Sequence, residues 1–152
     1  MHMETIAVKT QQELDRCLAI RNEVFVVEQQ VPPEEEVDEF DVSPEACHHA
    51  LLLDEDNPIG TGRWRFYSDD KTVKMQRIAL LKESRGKGLG KELLLAMEKQ
   101  ATQEGAEFAI LDAQCHAETF YCKLGYITLS TEPFYDAGIL HVRMRKQLVS
   151  QE

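Results

Sequence analysis

The sequence predicts a mixed α/β fold in which one central sheet is flanked by helices. Two observations indicate this fold. Short apolar segments suited to strands alternate with longer segments of helical periodicity along the 152 residues. No repeat, low-complexity segment or linker divides the chain, so residues 1–152 are expected to form a single domain with its own core.

The N-terminal part of the chain is predicted to contain a strand and a long helix. Residues 5–10 form the strand, and residues 11–29 form the helix, because Leu14 and Leu18 begin a helical period of apolar side chains. The run Val31-Pro32-Pro33 ends this helix, and an acidic loop is expected to follow as far as about residue 46.

Three long strands are predicted next. Residues 47–54 and 59–67 form a hairpin around Asp56-Asn57-Pro58, and Ser68-Asp69-Asp70 turns the chain into a third strand over residues 72–81.

The C-terminal part combines two helices with three strands. A helix is expected over residues 87–104, and Gly105 ends it. Its apolar face comprises Leu89, Leu93, Leu94, Met97 and Ala101. The remaining predicted elements are a strand over residues 107–112, a short helix over 116–124, and strands over 126–131 and 139–146.

Composition excludes several classes of protein. The formal net charge of −10 argues against a nucleic-acid-binding protein. The apolar runs are too short to span a membrane, and no secretory signal is visible, so a cytoplasmic location is expected. The four cysteines form no C-x-x-C pair, and the neighbours His48 and His49 point to opposite faces of a strand, so no metal site is expected.

Charge is distributed unevenly along the chain. Residues 28–45 contain eight acidic side chains and no Lys or Arg, whereas residues 82–91 contain four basic side chains and one acidic. Cations are unfavourable at the start of a helix unless an anion compensates them. The basic segment therefore indicates an anionic ligand.

The basic segment is a glycine-rich turn between a strand and a helix. Such a turn brings backbone N–H groups and the positive end of the helix dipole towards a phosphate. The turn lacks the G-K-[ST] ending of a P-loop and the third glycine of a dinucleotide-binding fingerprint. A different phosphate-binding pattern is required.

The pattern that fits is Arg85-x-x-Gly88-x-Gly90, which resembles the R/Q-x-x-G-x-G/A signature of the GNAT family of N-acetyltransferases. The segment from Gln114 to Tyr126 is similar to the later N-x-x-A-x-x-x-Y-x-x-x-G-F segment of that family. The resemblance covers most of the chain. Three further segments resemble a small bacterial branch of YjcF/ElaA type: Arg63-Trp64-Arg65, residues 24–29 and residues 138–144.

The resemblance implies a GNAT fold: a single central, mixed and mostly antiparallel sheet flanked by helices, with a splayed, V-shaped cleft for acetyl-CoA. Backbone groups of the turn would hold the pyrophosphate, and those of the preceding strand would hold the pantetheine arm. The implied cofactor-binding residues are Ile78, Ala79, Leu80, Arg85, Gly86, Lys87, Gly88, Leu89, Gly90, Lys91, Gln114 and Tyr121. Gln114 stands where many relatives have Asn, and Tyr126 replaces the usual Phe, a conservative change in packing terms.

The implied catalytic groups are an acid and a base. Tyr121 matches the tyrosine of the family and would give a proton to the leaving thiolate, while an N–H near Leu80 would stabilise the oxyanion. Glu28 and His141 are the first candidates for the base. The remaining candidates are His116 and Glu118. Cys115 and Cys122 are expected to be inert, because the family transfers the acetyl group directly in a ternary complex.

The implied function is an acetyl-CoA-dependent N-acetyltransferase of class EC 2.3.1, acting on a primary amine of a small molecule or protein. The acidic loop over residues 34–41 is expected to border the acceptor pocket, where it either favours a cationic amine or is only a solvated surface. A homodimer is also expected, because C-terminal strands often pair between subunits in this fold. The alternative is a GNAT-like module without catalysis that binds acyl-CoA or a partner protein.

Overall fold

The computed structural model describes residues 2–149 of the chain. These residues include eight strands. In chain order the strands are β1 (Met3–Ala7), β2 (His48–Asp54), β3 (Asn57–Phe66), β4 (Thr72–Leu80), β5 (Phe108–Gln114), β6 (Ile127–Thr128), β7 (Phe134–Asp136) and β8 (Ile139–Gln147). The α-helices are α1 (Gln11–Arg21), α2 (Pro33–Glu36), α3 (Leu89–Gln103) and α4 (Glu118–Lys123).

The strands form one sheet in the order β1-β2-β3-β4-β5-β8-β6, and β7 pairs with β8. The pairs β1/β2, β2/β3, β5/β8, β6/β8 and β7/β8 are antiparallel. Strands β4 and β5 are parallel, with Thr72–Met75 paired to Phe108–Leu111. The single, mostly antiparallel sheet predicted from the sequence is therefore confirmed.

The chain divides into two compact units. Unit 1 comprises the described residues up to Trp64 together with Arg77–Met97, and unit 2 comprises Arg65–Gln76 with the described residues from Glu98 onward. Strands β3 and β4 and helix α3 contribute residues to both units.

Unit 1 has a core between α1 and the sheet. Its buried members are Val8, Leu14, Cys17, Ile20, Val24, Leu51 and Ala79. Helix α1 starts where it does because of a capping box: the Thr10 hydroxyl accepts from the Glu13 N–H, and the Glu13 carboxylate accepts from the Thr10 N–H, each at 3.1 Å. Thr10 is therefore the helix cap and not, as predicted, the end of the first strand.

Unit 2 has a core on one face of β5 and β8. Leu111 lies opposite Met144 in the antiparallel register, and Ala113 lies opposite Val142. All four side chains are buried. The alternation along β8 leaves Arg143 on the other face, where it donates to both Asp112 oxygens at 2.8 and 3.0 Å.

The turn of the hairpin lies earlier in the chain than predicted. Asn57 and Pro58 belong to β3, and the turn residues are Glu55 and Asp56, with φ of 47° and 75°. A two-residue turn with positive φ at both positions matches the twist of the paired strands.

The first helix has the predicted extent, but its last part is π-helical and not α-helical. Asn22–Glu28 is a π-helical segment that continues α1. Hydrophobic period alone does not distinguish the two forms, because both keep an apolar face towards the core. Strand β7 was missed, and β6 is shorter than the strand predicted over residues 126–131.

Arginines bind the carboxylates of the acidic loop, and this is the largest difference between the predicted and the observed fold. Residues 33–41 contain α2 and a short 3₁₀ turn over Glu39–Asp41. Glu36 and Asp41 are buried, so these carboxylates are not part of a solvated surface.

The carboxylates and arginines form a closed ring of alternating charge, called here the arginine–carboxylate ring. Arg21 contacts Glu36 and Asp41, each at 2.7 Å. Arg63 contacts Asp38 and Asp41, each at 2.8 Å, and the third arginine, Arg77, lies 3.4 Å from Glu36 and 3.5 Å from Asp38. Each charged group thus touches two partners of opposite sign, which compensates the cost of burying it.

Candidate functional site

The glycine-rich turn joins β4 to α3 in unit 1. After β4 ends at Leu80, a 3₁₀ turn covers Lys82–Ser84, and α3 begins at Leu89. Gly86 and Gly88 have φ of +79° and +78°, which side chains with a Cβ rarely adopt. A Cβ built on either glycine meets nothing within 4 Å. Glycine is therefore required here by the backbone conformation, and not by a lack of space for a side chain.

The turn presents an open, positively polarised surface. The first N–H groups of α3 have no partner within the helix, and the helix dipole adds partial positive charge at this end. Lys87 and Lys91 are exposed beside them. This arrangement fits an anion such as a pyrophosphate.

Arg85 is engaged within the protein, whereas the sequence assigned it to the cofactor. Its Nη1 and Nη2 atoms donate to the two Glu28 oxygens at 2.9 Å, and Nε and Nη2 donate to the Leu80 carbonyl at 3.0 and 2.9 Å. The hydrogen bonds and charge of Arg85 lower the pKa of Glu28. Arg85 therefore ties the end of the π-helical segment to the end of β4.

The last residues of β4 lie close to two glycines of β3. Ala79 is buried, and Ile78 and Leu80 are half-buried. A Cβ on Gly60 would lie 2.7 Å from Leu80 Cδ2 and 3.3 Å from the Ala79 carbonyl oxygen, and one on Gly62 would lie 3.3 Å from Ile78 Cγ1. These glycines were not among the predicted site residues, although glycine inside a strand often marks such a close approach.

In unit 2, Tyr121 lies in α4 with its ring packed between two aromatic side chains. The ring centroids of Phe120 and Tyr126 are 5.1 and 5.9 Å away in edge-on geometry. Burial raises the pKa of the Tyr121 hydroxyl to about 12. Within residues 2–149 this hydroxyl makes no hydrogen bond, so no other group of the described chain engages its O–H.

Tyr126 does more than fill the space of the usual Phe. Its hydroxyl donates to Glu98 Oε2 at 2.9 Å, and Lys146 Nζ donates to Glu98 Oε1 at 2.8 Å. Burial and the Glu98 carboxylate raise the pKa of Tyr126. The hydroxyl therefore satisfies a buried carboxylate and fixes the ring against which Tyr121 packs.

His141 is buried on β8, directly opposite Gln114 of β5. Its Nδ1 lies 2.7 Å from the Ile139 carbonyl, which can only accept, so Nδ1 carries a proton and, in the neutral imidazole, Nε2 is the acceptor. Its ring stacks on Phe134 at 6.1 Å, which fixes the imidazole plane.

The remaining candidate bases have partners. His116 Nε2 lies 2.6 Å from Gln114 Oε1, and Glu118 Oε2 accepts from the Thr128 hydroxyl at 2.5 Å. The predicted roles of Tyr121, His141, Glu28 and Gln114 stay predictions.

The two adjacent histidines and the two cysteines of the Tyr121 segment have ordinary positions. His48 is exposed and stacks on Trp64, whereas His49 is buried, so the two neighbours face opposite ways as predicted. Cys122 is exposed and Cys115 half-buried, and both are free thiols. Among the described side chains, no group of three or more His, Cys, Asp or Glu is arranged to hold a metal ion.

A comparison of the whole sequence decides the family. A family model described as an acetyltransferase (GNAT) domain matches residues 6–148. The chain belongs to the GNAT acetyltransferase family. The glycine-rich turn and the Tyr121 segment both lie within the match, so the resemblance inferred from those two motifs is confirmed.

Two relatives of this GNAT chain come from bacteria. YjcF of Bacillus subtilis, named an uncharacterized N-acetyltransferase, is 42% identical over 144 residues, which cover 95% of this chain and 99% of YjcF. The crystal structure of Escherichia coli ElaA superposes with a TM-score of 0.81 at 25% identity, covering 96% of this chain and 99% of that one.

A more distant structure supports the fold alone. An aminoglycoside 6′-N-acetyltransferase complexed with coenzyme A has a TM-score of 0.76 at 14% identity, covering 100% of this chain and 99% of that one. No helix in the described part of the GNAT chain is long and apolar enough to cross a bilayer.

Proposed function

We propose that this GNAT chain transfers the acetyl group of acetyl-CoA to a primary amine of a small molecule or protein, directly within a ternary complex. The observation that carries the proposal is the open turn at Gly86 and Gly88, placed before α3 in a chain matched by the GNAT model over residues 6–148. The neighbour with bound coenzyme A supports the choice of cofactor by analogy of fold.

The turn fits the pyrophosphate of coenzyme A in shape and charge. Both glycines leave space above the backbone, and the N–H groups at the start of α3 would donate to phosphate oxygens. Lys87 and Lys91 would add charge-assisted contacts. Because Arg85 is paired with Glu28, we assign it to holding the turn against the π-helical segment.

Replacing Gly88 by Ala should weaken acetyl-CoA binding about tenfold, with a loss of folding stability of roughly 1–2 kcal/mol. The physical reason is that alanine disfavours the φ of +78° and tilts the N–H groups away from the phosphates. Isothermal titration calorimetry and urea unfolding measure the two effects.

Gly105→Ala is the matched control. Gly105 follows α3 at its other end with φ of +100°, and a Cβ there also meets nothing within 4 Å. It should lose similar stability while keeping its affinity for acetyl-CoA. Equal affinities for both variants would contradict the assignment of the turn.

When bound, acetyl-CoA supplies the activated acetyl group as a thioester. The amine nitrogen forms a bond to the carbonyl carbon, the carbon–sulfur bond breaks, and the thiolate takes up a proton. We assign that proton to the Tyr121 hydroxyl, whose partner-free oxygen and raised pKa of about 12 keep it protonated near neutral pH. Backbone N–H groups near Leu80 would stabilise the oxyanion.

We favour His141 as the group that removes a proton from the attacking amine. Its Nδ1–H donates to the Ile139 carbonyl, which leaves Nε2 as a lone-pair acceptor. Imidazole is suited to proton transfer near neutral pH. Glu28 would first have to release Arg85, and its lowered pKa makes it a weaker base.

Coenzyme A release from acetyl-CoA, measured over a panel of amines, amino sugars and peptides, tests the function. We expect acceptor-dependent release, with a matching mass increase of one acetyl group on the acceptor. Tight acetyl-CoA binding without release for any acceptor would instead support the alternative, a non-catalytic acyl-CoA-binding or protein-interaction module.

A further inference from the structure

Arg77 has an unusual backbone conformation inside β4. Its φ is +56°, a left-handed value that is uncommon for residues other than Gly, Asn and Asp. It follows the parallel ladder by two residues, since Met75 is the last residue of β4 that pairs with β5. It also comes directly before Ile78, the first residue of the strand segment assigned to the pantetheine arm. A strained residue at such a position needs surrounding contacts that hold it.

The side chain of Arg77 supplies those contacts. Nε donates to the Glu36 carbonyl at 3.0 Å, and Nη2 donates to the Glu35 carbonyl at 3.3 Å. The guanidinium also lies 3.4 Å from the Glu36 carboxylate and 3.5 Å from that of Asp38. Arg77 is thus tied to two successive backbone carbonyls and two carboxylates of the acidic segment.

The acidic segment is itself fixed by the other two arginines of the ring. Arg21 donates to the Glu36 carboxylate at 2.7 Å and also to the Glu36 carbonyl at 2.8 Å. Arg63 donates to Asp38 and Asp41, and the side chains of Arg21 and Arg63 are each only 1% exposed. Arg77 therefore binds a segment that two buried arginines already contact.

We propose that Arg77 is a positioning residue whose clamp onto the 35–36 carbonyls holds the left-handed turn in β4 and thereby orients the backbone groups of residues 78–80 towards acetyl-CoA. A left-handed residue redirects the peptide group that follows it, as at a β-bulge, and so sets where the next N–H and C=O groups point. The inference rests on the proposed function, because it concerns the same cofactor.

The test compares Arg77→Ala with Arg77→Gly. Both variants lose the clamp, but glycine adopts positive φ without cost. We expect Arg77→Ala to lower kcat/KM for acetyl-CoA on the order of 10- to 100-fold, and Arg77→Gly to recover most of that loss. A glycine variant as impaired as the alanine variant, with both folded, would overturn the proposal.

A second readout is independent of catalysis. A residue with positive φ has a short distance between its amide and α protons, and hence a strong intraresidue NOE. In the protein without cofactor this signal should be present at Arg77 in the wild type and lost in Arg77→Ala. Its persistence in Arg77→Ala would show that the clamp does not hold the turn.

Two further variants keep the test decisive if Arg77→Ala does not fold. Arg77→Asn favours the left-handed conformation without the clamp, whereas Arg77→Lys keeps the charge without the planar fork. We expect Arg77→Asn to bind acetyl-CoA more tightly than Arg77→Lys. Tighter binding by Arg77→Lys would overturn the proposal. A wild type that binds no acetyl-CoA would overturn the proposed function itself, whereas unaffected variants beside an active wild type overturn only the role of Arg77.

Discussion

Tyr121→Phe should lower kcat for acetyl transfer by roughly 10²- to 10⁴-fold while leaving the affinity for acetyl-CoA nearly unchanged. The substitution removes only the hydroxyl, which makes no hydrogen bond within the described chain, so the folded protein loses no internal partner. What is lost is the proton for the leaving thiolate. Steady-state kinetics with a saturating amine acceptor, together with calorimetric titration of acetyl-CoA, measure the two quantities.

Tyr126→Phe is the matched control, because it removes one hydroxyl from the neighbouring ring, 5.9 Å away. It leaves Glu98 Oε2 without its donor in a buried position, so we expect a loss of stability of about 1–3 kcal/mol and a much smaller change in kcat. If both variants lose kcat equally, Tyr121 contributes packing and not a proton.

The pH dependence of the wild type provides a second check on Tyr121. Burial raises the pKa of its hydroxyl to about 12, so this acid stays protonated up to about pH 10. The rate should therefore not fall on the alkaline side through ionisation of Tyr121. An alkaline decline below about pH 10 that disappears in Tyr121→Phe would contradict the assignment.

The fold was largely predictable because its signals are local. The period of apolar residues in α1 and α3, together with the prolines after residue 31, identified helices with approximately correct bounds. The glycine-rich turn was also predictable, because its positive φ values demand glycine at fixed positions between a strand and a helix. These features depend on residues that are close in sequence, so the sequence alone is enough to predict them.

The arginine–carboxylate ring was not predictable, because its partners are far apart in sequence. Arg63 lies 25 residues from Asp38 and 22 from Asp41, and Arg77 lies 41 residues from Glu36. Nothing in the sequence links the acidic run to the arginines of β3 and β4. Only the folded chain brings them together, so Glu36 and Asp41 are buried partners of arginines and not part of a solvated surface.

The positive φ of Arg77 was also not predictable from the sequence. Arginine carries no preference for the left-handed region, and the conformation results from tertiary contacts that outweigh local preference. The role of Tyr126 was missed for a related reason. Its hydroxyl matters only because Glu98 of α3 and Lys146 of β8 lie beside it.

Asp41→Asn should destabilise the protein by about 3–5 kcal/mol at neutral pH. The Asp41 side chain is fully buried and accepts from Arg21 at 2.7 and 2.9 Å, from Arg63 at 2.8 Å and from the Asp38 N–H at 3.0 Å. The amide removes one negative charge from between two buried arginines and replaces an acceptor with a donor. Urea unfolding of both proteins measures the difference.

Glu28→Gln is the matched control for stability. Glu28 also makes a two-pronged pair with an arginine, but its side chain is 32% exposed and that of Arg85 is 41% exposed. An exposed pair contributes at most about 1 kcal/mol. Similar losses for both variants would mean that burial does not set the strength of the ring.

Acid should abolish the difference between Asp41→Asn and the wild type. Burial opposes ionisation of Asp41, but hydrogen bonds and charge from Arg21, with the charge of Arg63, outweigh it and lower the pKa of the carboxyl in the folded protein. A carboxyl with a lowered pKa stabilises the fold fully above its unfolded pKa of about 3.9, and this stability is lost as the pH falls towards the folded pKa. The two unfolding midpoints should therefore converge below about pH 4, because the wild type loses stability there and the amide does not titrate. A difference that stays constant from neutral pH down to about pH 3 would mean that the geometry of residue 41, and not its charge, holds the ring together.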